Sequence, residues 1–243
     1  MTGWNVISSR SVAQVKDLSL PPAAIEYYLD TREIRRGYVV EVRLIAITNY
    51  LDGETSEELL EHAGRVCYRS TRAGEAGRFL QNRIREGHES IIEHASATFE
   101  ISGISRACSH QVVRHRLASY SQESQRYVDM VDPDFVIPPM IEANPRAMEI
   151  WQGVVDEVKA AYQELRGLGI RKEDARFLLP NAAATRIVMS ANFREYRHFI
   201  KLRSDPAAQW EIRELANRML DLLYLAAPSV FQDLVDARTA SSS

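Results

Sequence analysis

ASATFEISGISRACSHQVVRHRLASYSQESQRY, residues 95–127, contains the change of period that decides the fold. In its first nine residues Ala97, Phe99 and Ile101 alternate with polar neighbours, the period of two expected of a half-buried strand. Ser105 then opens a short helix, SRACSHQVVRHR. Arg106, His110 and Arg114 recur on it every four residues and project from one face, with Gln111 beside them and Cys108 and Val112 on the other. From Leu117 to Ala143 the period is lost and Pro133, Pro138 and Pro139 gather, so a long irregular connection is expected, of the kind that carries function in compact domains.

Strands and helices continue on both sides. Upstream, YVVEVRLIAI at 38–47 is rich in β-branched residues and reads as a strand. Thr55 and Glu58 form a capping-box pattern for a helix through Val66, and a second helix at 74–86 ends at Gly87. Downstream, Asn144 and Pro145 supply the cap and first-turn proline of a long helix with the stripe Met148, Trp151, Val155, Val158, Tyr162 and Leu165. A short helix closes at Pro180, ATRIVMS reads as a strand, and Asn192 with Glu195 caps FREYRHFIK. Asp205 and Pro206 open a last long helix with the stripe Ile212, Leu215, Met219, Leu222 and Ala226. The expected architecture is α+β, a mixed sheet of a few strands covered by long helices, in one domain over 38–243. Residues 1–37, with a helix between Pro21-Pro22 and Gly37, read as an N-terminal extension.

Composition narrows the function classes. With 243 residues, 45% hydrophobic and 26% charged, the chain is neither disordered nor a disulfide scaffold. Its net charge of −3 is far less basic than that of a dedicated nucleic-acid binder. Cys67 and Cys108 show no CxxC spacing, which suits a reducing, cytoplasmic setting. The opening MTGWNVISSRSVAQVKDL lacks an apolar export segment, and no run approaches the ~20 apolar residues of a membrane span, so no membrane association is expected. His88 and His94 flank Glu89 and Glu93 without HExxH spacing or a third ligand, so no metal is expected.

Charge is nevertheless concentrated. Between Arg106 and Arg126 there are four arginines and one acid, Glu123, a local charge of +3. Guanidinium forks interleaved with Ser and Gln suit phosphate and planar heterocycles. Two classes stay open on the residues alone: a nucleotide-handling enzyme, and an RNA- or phosphate-binding non-enzymatic module built on 106–126. The second is weakened by the overall acidity and by having only Tyr120 and Tyr127 for stacking. A cysteine-dependent nucleotide methylase needs an activated thiol, and neither cysteine has a base in its local sequence.

Arg114-His115-Arg116, Ser119, Ser121, Ser124 and Arg126 resemble the signature of the flavin-dependent thymidylate synthases, Arg-His-Arg-x-x-Ser-x-Asn-x-x-Ser-x-Arg, with Ser121 at the Asn position. HESIIEHASATF, ARFLLP, ANFREYRHFIKLR and DPAAQWEIRELA are similar to further segments of that family in the same order, with Ala207 where a His is often found. The resemblance implies reductive methylation of dUMP to dTMP, with methylenetetrahydrofolate as carbon donor and FAD, reduced by NADPH, as hydride donor, and no enzyme cysteine on the ring. It also implies a homotetramer with active sites shared between subunits. It assigns Ser90, Glu93, Arg114, His115, Arg116, Glu123, Asn192, Arg194 and His198 to FAD. Gln111, Arg114, Glu123, Ser124, Gln125, Arg126, Arg176 and Arg203 fall to dUMP, and Arg203 becomes the catalytic cation that stabilises the ionised uracil. Ser90 and Glu93 additionally read as a capping pair whose helix N-terminus suits an anion.

Overall fold

The alternation at Ala97, Phe99 and Ile101 places those three side chains on the buried face of a strand, as expected. The structure, a computed structural model, describes residues 40–71 and 76–241, so the extension at 1–37 and its helix lie outside the described residues. Strands β1 (Glu41–Ile47), β2 (Ser96–Ser105), β3 (Ala118–Gln122) and β4 (Ala184–Asn192) form one sheet in the order β1-β2-β4-β3. Every pairing is antiparallel. Gly103 sits at φ +74 where the β2–β4 register shifts between Ile101 and Ile104, a conformation that suits a residue without Cβ.

Nine helices accompany the sheet among the described residues: α1 (Ser56–Tyr68), α2 (Ala76–Arg85), α3 (Arg106–Val112), α4 (Pro139–Glu142), α5 (Pro145–Gly167), α6 (Lys172–Ala175), α7 (Phe193–Arg203), α8 (Trp210–Ala226) and α9 (Pro228–Ser241). The capping box at Thr55 and Glu58 and the Asn144 cap form as the sequence predicts. Sheet residues Leu44, Phe99, Ile101, Ile187 and Met189 share one apolar cluster with Phe199, Ile212, Leu215, Met219 and Phe231 of α7–α9. The other face of the sheet is polar, with Thr98 against Ser190 at 2.8 Å and Glu100 bridging Arg43 (3.0 Å) and Arg186 (2.6 Å). One face packed and one face wet is the usual arrangement of an antiparallel sheet.

Three elements differ from expectation. The connection after Leu117 begins with β3, in which Ala118, Tyr120 and Gln122 are half-buried between the exposed Ser119 and Ser121; so weakly apolar an alternation hides a strand. The last helical region starts at Trp210, not at Asp205. Gln209 caps it by accepting from the N–H groups of Glu211 and Ile212, while Asp205 accepts from Ala207 N–H at 2.8 Å in a turn of its own. The helix's stripe ends at Ala226, where α8 ends, and a further helix not expected from the sequence, α9, starts at Pro228 and buries Val230, Phe231 and Leu234. Helix α5 stands apart from the main core. Of its stripe only Val155 and Tyr162 are buried, and Tyr162 packs with Met130 and Ala175 in a satellite cluster. Among the described residues no helix is long and apolar enough to cross a membrane.

Candidate active site

Helix α3 is anchored at its first turn. The Ser105 hydroxyl accepts from Cys108 N–H at 3.0 Å, while Ser105 donates its own N–H and O–H to the two carboxylate oxygens of the buried Glu211 on α8, each at 2.6 Å. The helix ends at Val112, so Arg114 does not share a face with Arg106 and His110. Residues 113–117 form a turn that buries His115 and leaves Arg114 and Arg116 exposed. Tyr120 closes that turn from β3: its hydroxyl donates to the His115 carbonyl oxygen at 2.7 Å, with the Val112 carbonyl oxygen at 2.9 Å. Burial, with the Glu195 carboxylate adding to it, pushes the Tyr120 hydroxyl up to about 12, so it stays a donor.

The turn and helix α7 meet around the His115 ring. Nδ1 lies 3.1 Å from Glu195 Oε1, and Nε2 lies 3.1 Å from Nε of Arg203, the last residue of α7. Phe199 stands edge-on to the ring at 4.8 Å and the exposed His198 is tilted at 5.5 Å. Arg203 also reaches the Gln111 carbonyl oxygen at 3.4 Å. Burial foremost, together with the Arg203 cation, holds His115 below its ordinary pKa against the opposing pull of Glu195. Gln111, His115, His198 and Arg203 are thereby brought together. The sequence pattern gives Glu195 only as the capping partner of Asn192. Its backbone N–H does reach Asn192 Oδ1 at 2.9 Å, but its carboxylate serves His115, eighty residues away in sequence. Its place one turn of helix from His198 and Phe199 was the available signal.

A second group forms around Glu173. Arg126 Nε donates to its carboxylate at 2.8 Å, Arg176 Nε donates to its carbonyl oxygen at 3.1 Å, and Arg106 donates to the Glu123 carbonyl oxygen at 2.8 Å. Burial, opposed by Glu123 and assisted by Arg176, lowers the pKa of Arg106. Two of the four arginines of the basic segment therefore have partners, Arg106 the Glu123 carbonyl and Arg126 an acid outside the segment. Ser124 accepts from Arg126 N–H at 3.3 Å, and Gln125 is half-buried beside it.

The third group joins α7 to the 3-10 turn Glu89–His94, where Arg194 pairs with Glu93 and lies 3.8 Å from Glu89. Ser90 lies inside this turn and does not cap it, because the preceding position is His88 and makes no side-chain cap, so no long helix N-terminus is presented there. The Cys108 thiol is buried and burial drives its pKa far upward, whereas Cys67 is exposed. A cleft of about 680 Å³ borders these groups only at Glu123; its Asp129, Asp132 and Asp134 disfavour an anion. Among the described residues no group of three or more His, Cys, Asp or Glu side chains could hold a metal ion.

Residues 43–229 match the family model described as thymidylate synthase complementing protein. The chain is 45% identical to the flavin-dependent thymidylate synthase of Geobacter sulfurreducens over 70% of its own length and 78% of that protein. It is 40% identical to the flavin-dependent thymidylate synthase of Mycobacterium marinum over 84% of its length and 93% of that protein, and 50% identical to that of Thermococcus onnurineus over 55% and 56%.

Proposed function

We propose, because this chain belongs to the flavin-dependent thymidylate synthase family, that it converts dUMP to dTMP by flavin-dependent reductive methylation. Methylenetetrahydrofolate supplies the carbon and NADPH reduces the FAD. The catalytic unit is 38–243, working as a cytoplasmic homotetramer with shared active sites. The observation that carries this reading is Arg203, a permanent cation oriented by the neutral His115 ring and not paired with a carboxylate there.

The donor set fits both ligands. Arg114 and Arg116 are exposed and make no ion pair among the described residues, which leaves their forks free for a diphosphate. Asn192, Arg194, His198, Ser90 and Glu93 sit along one side of α7 and the adjoining turn and would hold the flavin. The bound flavin supplies the hydride that reduces the transferred carbon. Gln111, Glu123, Ser124, Gln125, Arg126 and Arg176 would hold the nucleotide, with the guanidinium groups on phosphate and the amide and hydroxyl groups fixing the ring.

Arg203 would lie against the uracil carbonyls. A fixed cation there stabilises negative charge spread over the ring, so the ring carbon becomes nucleophilic without a thiol adduct. The Cys108 thiol agrees with that chemistry, since it is buried and resists ionisation. The division of the arginines between the His115 and Glu173 groups supports shared sites, because the catalytic cation and the phosphate forks belong to different clusters of one chain.

The test is the visible spectrum of the purified protein, followed by NADPH oxidation and dTMP formation with and without dUMP and methylenetetrahydrofolate. A yellow protein that makes dTMP only with both substrates is expected. A protein that cannot be loaded with FAD defeats the reading.

A further inference from the structure

We propose that Glu195 is a positioning residue for the reaction: it fixes the tautomer of His115, and His115 in turn aims the Arg203 guanidinium at the nucleotide. The inference rests on the reading of Arg203 above and extends it to residues that do not touch the substrate.

The hydrogen positions follow from donor chemistry. Arg203 Nε always carries a proton and can only donate, so His115 Nε2, 3.1 Å away, must present its lone pair. The ring proton then sits on Nδ1, facing Glu195 Oε1 at 3.1 Å. One neutral tautomer satisfies both contacts. The ring is buried, Phe199 stands edge-on to it at 4.8 Å, and Tyr120 holds the His115 carbonyl, so the imidazole cannot swing away.

The neutral ring between acid and cation has a physical purpose. A carboxylate placed directly on Arg203 would orient it and cancel much of its field at the substrate. A neutral imidazole orients the guanidinium while the compensating carboxylate stays one ring further off. With Arg203 Nε committed to His115, the long 3.4 Å contact from Nη2 to the Gln111 carbonyl is the other hydrogen bond of the guanidinium among the described residues. Without an acceptor at position 195 the Nδ1–H tautomer loses its partner. The shortened side chain also leaves room for the ring to turn, so its Nε2 lone pair no longer meets the Arg203 N–H and the cation drifts out of register.

The test compares Glu195→Ala and Glu195→Gln in the full chain loaded with FAD. E195A should lower kcat at least ~10-fold while KM for dUMP and bound flavin change little, since misplacing a catalytic group by ~1 Å can cost ~100-fold. E195Q, whose amide oxygen still accepts from Nδ1–H, should stay within ~3-fold of the parent. Solid-state ¹⁵N spectra of histidine-labelled protein, with the His115 lines identified by their absence in His115→Asn, should place the proton on Nδ1 in the parent and E195Q, and should show the Nδ1–H line displaced in E195A, where its acceptor is gone. Full kcat in E195A, an equal loss in E195Q, loss of flavin together with kcat, or a parent proton on Nε2 would each overturn the proposal. If the parent protein itself held no flavin and made no dTMP, the functional reading would fall, while the ¹⁵N spectra would still decide whether Glu195 holds the His115 tautomer.

Discussion

Arg203 keeps its charge available because its Nε partner is a neutral ring whose pKa burial and the cation itself hold down. Replacing it by Ala removes the one cation of that cluster, and dTMP formation should fall at least ~100-fold, in line with loss of a single preorganised donor. Bound flavin should stay close to the parent level, because Arg194 and Asn192 lie a full helix length away on α7. Arg203→Lys should recover little, since an ammonium lacks the Nε that meets His115. Single-turnover kinetics beside flavin absorbance check both statements; survival of turnover in R203A would end the role assigned to it.

Helix α7, which carries the candidate site residues Asn192, Arg194, His198 and Arg203 at its start and along its length, is clamped at both faces. Tyr196 packs edge-on to Phe99 at 5.3 Å and directs its hydroxyl to the Ala97 and Met189 carbonyls, each at 3.1 Å, tying α7 to the sheet. On the other side the buried Arg197 reaches Val230 O and both carboxylate oxygens of Asp233, at 2.6 and 2.7 Å, joining α7 to α9. Burial pulls the Asp233 pKa up, but the Arg197 bonds outweigh it and hold the carboxylate below its ordinary value. A depressed acid contributes stability above its unfolded pKa of about 4 and loses it as pH falls through the folded value. Asp233→Asn should therefore melt below the parent at pH 7, and the gap should close as the pH drops through that window. Thermal melts of the two proteins from pH 7 to pH 3 measure it; a gap that widens in acid would refute the clamp.

Over the whole molecule, the arginines proposed as catalytic cation and as phosphate forks belong to separate clusters, Arg203 with His115 and Arg126 with Arg176 around Glu173. If active sites are completed between subunits, R203A and R126A, each inactive alone, should regain turnover when denatured together and refolded, because some mixed interfaces then hold one intact set. The same mixture of R203A with itself stays inactive. No recovery in the mixture, with tetramers confirmed by light scattering, would place all these residues in one subunit's site.

Local patterns already present in the sequence determined the α+β class, the β2 strand, the Thr55 and Asn144 caps and the clustering of arginine. Alternation and capping act over a few residues, so they can be read without a fold. Strand β3 escapes a reading by alternation because serines alternate with weakly apolar residues, and helix α9 lies beyond the stripe that ends at Ala226. Only the tertiary structure decided that Glu195 serves His115 and that Glu173 gathers Arg126 and Arg176. Hydrogen-bond geometry depends on where separate elements meet, and a chain read residue by residue contains no such distance.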